Sequence, residues 1–435
     1  LPFSLYSKFN SHRPFGWNDN GMRMARGMQI ASSAGVFLNK GPISIQFQPE
    51  FYWIQNKNYE TTPDFGSSNN KQISKAYFGQ SSLRINLGKV SLGVSSENLW
   101  WGPGQFSSLF MSNNASGFYH ITFNTRKPIK TFLGTFEWQL IVGQLGEDTS
   151  TAFENRFLQT VRAKNEKRYY NGFVLSYQPK WAPNIYLGLT RFEQLYNSTQ
   201  QNRAGGFLKK YLPILTFETA DANASRITPN DGGVGIFGRW ILPNSHAEFY
   251  FEYGYNDFKQ NIRDFTTSTN HASAYLAGFK KLFPMKHGSF IDVSGEIVQM
   301  SQNPSYLIRD AGNWYEHSQI VQGYTNDNQI MGAGSGKGNN VQTLSIRKFK
   351  NLNSWGVKLQ RIQYDPKGVI LSSVNTLGMR KYQWSDADLS FLMQKKLSKL
   401  ILNAEIHYVI SKNYGWQDIN RSNIFLQLNC TYFFF

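Results

Sequence analysis

Alternation with a period of two residues governs this chain more than any other feature. Glu248, Tyr250 and Glu252 alternate with Phe249, Phe251, Tyr253 and Tyr255, so an extended strand there carries acids on one face and aromatics on the other. Ile43, Ile45 and Phe47 alternate with Ser44, Gln46 and Gln48. Asp292, Ser294 and Glu296 oppose Ile291, Val293 and Ile297, and Leu400, Leu402, Ala404, Ile406 and Tyr408 oppose Ile401, Asn403, Glu405 and His407. In a water-soluble sheet the apolar face would need a second layer of protein. In a membrane barrel hydrocarbon fills that place, and the acids turn to a polar lumen because a charge facing lipid is costly.

Composition selects the second solution. Aromatic residues make up 16% of the 435 and charged residues only 17%, against roughly 25% in ordinary soluble proteins. The mean hydropathy is nevertheless on the polar side. No segment approaches the roughly 18 consecutive apolar residues of a spanning helix. Cys430 is the only cysteine, which excludes an intrachain disulfide. The net charge of +17 reads either as a solvated basic surface or as attraction to anions such as lipopolysaccharide phosphates or acidic polysaccharide. Nucleic acid is not an expected partner: basic residues gather only in short pairs such as Lys209-Lys210 and Lys395-Lys396, and no nucleic-acid-binding motif occurs.

Alternating runs fall at 28–37, 42–54, 76–87, 89–96, 117–126, 131–143, 171–179, 183–192, 234–242, 245–255, 272–282, 288–299, 342–350, 353–363, 373–381, 386–395, 399–410 and 423–434. The expected fold is therefore all-β: an antiparallel transmembrane outer-membrane β-barrel of about 18 strands. Tight turns such as Leu87-Gly88-Lys89-Val90 and Pro243-Asn244-Ser245 join some runs. Long polar stretches at 55–75, 144–170, 193–233, 256–271 and 300–340 join others. Short turns at one end and long loops at the other are the habit of outer-membrane barrels. Residues 1–27 do not alternate cleanly and are expected at the barrel mouth or in the lumen, with the barrel proper over 28–435. The last run sets Ile424, Leu426, Leu428, Cys430, Tyr432 and Phe434 on one face and ends at Phe435, which resembles the terminal signal read by barrel-assembly machinery. The chain opens at Leu1, so a processed or trimmed start is expected.

From Glu97 to Leu145 the chain resembles the Wzi family of capsule-assembly outer-membrane proteins. The likeness is carried by Glu97-Asn98-Leu99-Trp100-Trp101-Gly102-Pro103-Gly104, by Ser112-Asn113-Asn114-Ala115-Ser116-Gly117-Phe118, by Thr125-Arg126-Lys127-Pro128-Ile129-Lys130 and by Leu133-Gly134-Thr135-Phe136-Glu137-Trp138-Gln139-Leu140. Gly16-Trp17-Asn18-Asp19 adds to it. The resemblance implies an 18-stranded barrel, a lumen closed by loops, and a role in holding exported polysaccharide at the surface of a Gram-negative cell. It also implies a periplasmic helical segment ahead of the barrel, and this chain starts too late to show one.

The candidate polysaccharide contacts are Trp100, Trp101, Asn113, Asn114, Arg126, Lys127, Trp314, Tyr315 and Tyr324. Trp100 and Trp101, held by the two glycines and the proline that follow, offer aromatic faces to the C–H faces of sugars; placement at the membrane interface or in a loop folded into the lumen is the plainer reading. Asn113 and Asn114 suit sugar hydroxyls, and they also suit any turn. Arg126, Lys127 and Lys130 suit acidic sugars or lipid phosphates, or else pairing with lumenal acids such as Glu97, Glu137 or Glu248. Tyr306, Trp314, Tyr315, His317 and Tyr324, beside Arg309 and Asp310, read as an external glycan surface or as a loop packed on itself to close the barrel. Gly332-Ala333-Gly334-Ser335-Gly336-Lys337-Gly338 fails the phosphate-loop spacing and reads as a flexible loop tip.

Catalysis is not expected. His407 shares a face with Glu405, and His246 with Glu248 and Glu252, but no nucleophile signature accompanies either group. No cofactor and no metal-ligand spacing is indicated. The leading function is a non-enzymatic, lectin-like factor that assembles or retains capsular or exopolysaccharide. The alternatives are an accessory subunit of a larger outer-membrane secretion or uptake complex, and a porin or specific uptake channel. The expected partners are surface polysaccharide, outer-membrane lipid and lipopolysaccharide, and other outer-membrane proteins.

Overall fold

Phe3–Asn10 pairs on one edge with Gly27–Ser33 and on the other with Arg421–Tyr432, so the first strand meets the last and the sheet has no free edge there. This computed structural model describes residues 1–59, 67–68, 70–147, 153–154, 166–203, 206–212, 214, 230–256, 271–302, 312–369 and 382–434. Among them, eighteen antiparallel strands close into a ring, each paired with its neighbours in sequence. Three are interrupted once: Gly27–Ser33 resumes as Val36–Lys40, Ile43–Phe47 as Glu50–Ile54, and Ile73–Tyr77 as Ser82–Leu87. The ring continues through Val90–Ser95, His120–Thr125, Gly134–Leu145, Arg168–Pro179, Ile185–Tyr196, Asp231–Leu242, Ala247–Asn256, Ser273–Pro284, Ser289–Gln299, Asn340–Lys350, Asn353–Gln363, Ser385–Leu397 and Leu400–Lys412.

Alternation sorts the faces as expected. Ile43, Ile45, Phe47, Phe249, Phe251, Ile406 and Tyr408 lie exposed on the outside, while Glu252, Glu296 and His407 are buried within. The outer face has no protein layer over it and suits hydrocarbon. The tight turns gather at one end; Gly41 and Gly88 there take φ values of +59° and +60°, which glycine adopts at little cost.

Three expectations are corrected. Residues 1–27 do not all lie off the wall, because Phe3–Asn10 is a wall strand. Its inward residues Tyr6 and Lys8 bind Asp19; its pattern is weakened where Ser7 breaks the outer apolar run, and the irregular stretch 11–26 separates it from the next run. The run at 373–381 lies outside the described residues; Asn353–Gln363 pairs directly with Ser385–Leu397, so no wall strand intervenes. The strand number therefore agrees through two compensating errors. Finally, Gly332 to Gly338 is not an exposed tip. A Cβ at Gly332 would lie 2.4 Å from the Leu109 carbonyl and one at Gly334 2.3 Å from Asn114, so the glycines let two chains meet inside the barrel.

Candidate functional site

The lumen is occupied by segments that leave the wall and fold inward. One runs from Ser96 to Tyr119. Its neck is closed where the Trp101 amide donates to the Met111 carbonyl at 3.0 Å. Two wall acids hold its tip. Glu252 accepts from the Gly104 amide at 3.2 Å and the Leu109 amide at 2.8 Å. Glu296 accepts from the Gln105 and Phe106 amides at 2.7 and 3.1 Å and from the Tyr250 hydroxyl at 2.9 Å. Lumenal acids of this kind are expected to meet Arg or Lys. Glu248 does so with Arg239, but Glu252 gives both oxygens to backbone amides and Glu296 gives one oxygen to two amides and the Tyr250 hydroxyl. Gly102 explains part of the Trp-Trp-Gly-Pro-Gly spacing: its φ is +123°, and a Cβ there would sit 2.2 Å from the Glu252 carboxylate.

Glu97, at the start of this segment, pairs with Arg84 of the wall and not with Arg126 or Lys127. Burial works to raise the Glu97 pKa, but the bonds from Arg84 and Ser95 outweigh it and hold the group below its ordinary value.

The stretch from Asn313 to Asn340 packs against the first segment. Ser112 donates its amide to the Met331 carbonyl at 2.7 Å, and Asn114 donates to the Ile330 carbonyl at 2.9 Å. The Tyr315 hydroxyl donates to the Leu109 carbonyl at 2.8 Å and accepts from the Ala333 amide at 2.7 Å. The Tyr324 hydroxyl donates to the Phe110 carbonyl at 2.7 Å, and its ring lies 4.1 Å from that of Phe192. A third piece comes from the N-terminal region. The Asn20 amide donates to the Asn113 carbonyl at 2.7 Å and the Asn18 amide to the Asn114 side chain at 3.3 Å. Asp19 is fixed by Tyr6 and Lys8, and Phe15 packs edge-on against Phe425 and Trp17. Asn114 thus joins all three segments.

The structure therefore unites five of the nine candidate contacts, Trp101, Asn114, Trp314, Tyr315 and Tyr324, but as the interior of a plug. Each is 5% exposed or less. The rings of Trp314, Tyr315 and Tyr324 face other rings, the Trp101 indole donates to Gln139 at 2.9 Å, and the hydroxyls of Tyr315 and Tyr324 and the Asn114 amide bind protein, so of the two readings of Trp314, Tyr315 and Tyr324 the loop packed on itself is the one formed, not the external glycan surface. Trp100 and Asn113 are half-buried; Trp100 donates to the Gly104 carbonyl at 3.1 Å. Arg126 and Lys127 are exposed beside the Gly88 turn, at the short-turn end. Tyr306, Arg309 and Asp310 lie outside the described residues.

Among the described residues no group of His, Cys, Asp and Glu is arranged to hold a metal. The His407 ring meets Asp388 at 2.8 Å and the Ser390 hydroxyl at 2.9 Å through the same nitrogen, Nδ1, and Glu405 at 3.1 Å through Nε2. Sequence reasoning missed the anchoring acids as loop holders. No local signal links them to it: Glu252 and Glu296 are lumenal strand acids some 150 to 190 residues beyond the Gly102–Phe106 turn that they hold.

The profile of the family described as Capsule assembly protein Wzi matches residues 12–419. Among solved structures the fold is similar to Wzi of Escherichia coli, described as an outer membrane protein involved in group 1 capsule assembly and a carbohydrate binding beta-barrel. The TM-score is 0.64 at 12% identity, over 98% of this chain and 83% of that one. OccAB4 of Acinetobacter baumannii matches with TM-score 0.45 at 10% identity, over 99% and 96% of the two chains. OprD of Pseudomonas aeruginosa gives 0.42 at 10%, over 99% and 92%. No curated protein sequence matches significantly.

Proposed function

The chain belongs to the Capsule assembly protein Wzi family, and from that premise we propose that it is a non-enzymatic, carbohydrate-binding barrel of the outer membrane that helps assemble or retain capsular or exopolysaccharide at the cell surface. The observation that carries the reading is the extent of the family match, which takes in the inserted segments as well as the wall. The plug supports it too, since a lumen filled by interlocked loops suits a surface that holds a polymer better than a path that passes solutes. The net charge of +17 favours an acidic polymer. Many weak contacts on one barrel hold a long polymer by avidity, because each added contact is effectively intramolecular.

In this reading Trp100 and Asn113 touch sugar at the surface of the plug, and Trp101, Asn114, Trp314, Tyr315 and Tyr324 set its shape. Arg126 and Lys127 meet anions at the other rim, where lipid phosphate is at hand. The test is the ratio of cell-bound to shed polysaccharide in a deletion strain. Retention should fall while synthesis continues; unchanged cell-bound polymer would overturn the proposal.

A further inference from the structure

The outer face of the wall is not uniform. Between Ser273–Pro284 and Ser385–Leu397 it carries a groove of about 640 Å³. Phe249, Phe279, Ile297, Leu344 and Leu359 line it, and all five are exposed. The depression arises from small residues. Ala277, Gly295 and Ala387 stand where bulky side chains fill the wall elsewhere, and the Phe279 ring lies down over Gly295, 2.5 Å from where a Cβ would be.

One registered row crosses the groove: Ile297 pairs with Gln342, Gln342 with Arg361, and Arg361 with Ala387. Each of these residues stands two positions from the loop end of its strand, given the strand limits Gln299, Asn340, Gln363 and Ser385. Long loops mark the extracellular side of such barrels, so the row lies at the headgroup level of the outer leaflet. Arg361 is exposed there and points away from the lumen. Its guanidinium donates to the Gln342 side-chain oxygen at 2.9 Å, and among the described residues no carboxylate pairs with it. A guanidinium has five donors in a fixed fork, so this one is oriented with donors to spare. A cation facing lipid is tolerated near the interface, and phosphate is the group its fork fits best.

We propose that this groove binds a phosphate-bearing, multiply acylated glycolipid of the outer leaflet. The acyl chains lie between Phe279 and Leu359, and a phosphate meets Arg361. The dent gives the chains a shaped seat that flat wall does not. Arg361 selects the anionic head from zwitterionic phospholipid, and Gln342 positions it. The site is on the opposite side of the wall from the plug and does not depend on what the plug binds.

The experiment is native mass spectrometry of the full chain in detergent, with hexa-acyl bis-phosphorylated lipid A, monophosphorylated lipid A or phosphatidylethanolamine added. Heat-shifted gel migration checks that each barrel is folded. The unaltered chain should retain bis-phosphorylated lipid A in preference to phosphatidylethanolamine. Arg361→Gln should reduce that retention roughly five-fold, the scale of one basic residue against an anionic lipid. Ala277→Phe fills the groove and should reduce retention of both forms of lipid A. Equal retention of lipid A and phosphatidylethanolamine, or full retention by Arg361→Gln, overturns the proposal. So does a dimer mass that Ala277→Phe abolishes, which would give the groove to a second copy of the chain.

Discussion

The wall and the plug obey different rules of assembly. The wall is a ladder in which each strand bonds to its neighbour in sequence and every second side chain has the same task. The plug has no period. Its bonds join residues far apart in the chain, such as Asn114 to Ile330 and Gln105 to Glu296. Yet the two meet in one set of side chains. Glu252 and Glu296 contribute to the alternation that makes the wall readable, and the same acids hold the plug. The lumenal face of the wall is therefore under two constraints and the lipid face under one, and substitutions on the two faces should fail differently.

The largest effect is expected on the lipid face. Phe251, central in Ala247–Asn256, is 44% exposed and leans over Gly238. Phe251→Arg should destabilise the barrel by about 2–4 kcal/mol in equilibrium unfolding from lipid vesicles. A cost well under about 1 kcal/mol would mean that this face does not meet hydrocarbon.

Next comes its neighbour on the other face. Glu252→Ala leaves the Gly104 and Leu109 amides without their acceptor, a local cost of about 1.5–3 kcal/mol. The wall should keep its unfolding profile, because its ladder is untouched, while the plug loosens. Planar-bilayer recording reads the difference: no discrete conductance from the unaltered chain, and stepwise openings from the variant. Stepwise conductance from the unaltered chain would instead favour a channel.

The same contrast accounts for what the sequence disclosed. The wall was readable because a strand facing lipid must alternate, and the alternation survives in any local window. Phe3–Asn10 escaped although its inward Ser4, Tyr6, Lys8 and Asn10 are all polar, because Ser7 interrupts the outer apolar run and the irregular stretch 11–26 separates it from the next alternating run. The Trp100–Gly104 motif was visible as an irregular, glycine-dependent turn, but its partners Glu252 and Glu296 follow some 150 to 190 residues later, and no local pattern links them. For the same reason Asn114 read as a surface turn and is the junction of three buried segments. Tyr315 and Tyr324 read either as sugar platforms or as a loop packed on itself, because aromatic residues in polar loops look alike whether they face solvent or another loop; burial alone separates the two, and it gives the packed loop.

A smaller change probes the plug from within. Tyr324→Phe keeps the packing on Phe192 but removes the hydroxyl that donates to the Phe110 carbonyl. The expected loss is about 1 kcal/mol, seen as faster amide exchange in the 96–118 segment with the wall strands unchanged. Replacing Trp314, Tyr315 and Tyr324 together by Ala would empty the plug's centre, so lower polymer retention in that variant would report a collapsed plug and not a lost sugar contact.

The smallest expected effect decides which end of the barrel meets the polymer. Arg126 and Lys127 are exposed at the short-turn rim, and the inserted segments enter from the loop end. If polymer is held on the loop side, these cations cannot touch it. Replacing both with Gln should then leave cell-bound polysaccharide unchanged, and barrel stability should shift by less than about 1 kcal/mol, since exposed charges are weakly coupled and screened by salt. Trp100→Ala combined with Asn113→Ala should lower retention by a few-fold, because loss of weak contacts multiplies along a polymer. The two double variants differ in location and in chemistry, so retention and its salt dependence separate them. A fall in retention with Arg126 and Lys127 replaced, strongest at low salt, would put the polymer on the periplasmic side and make the charged rim, not the plug, its holder.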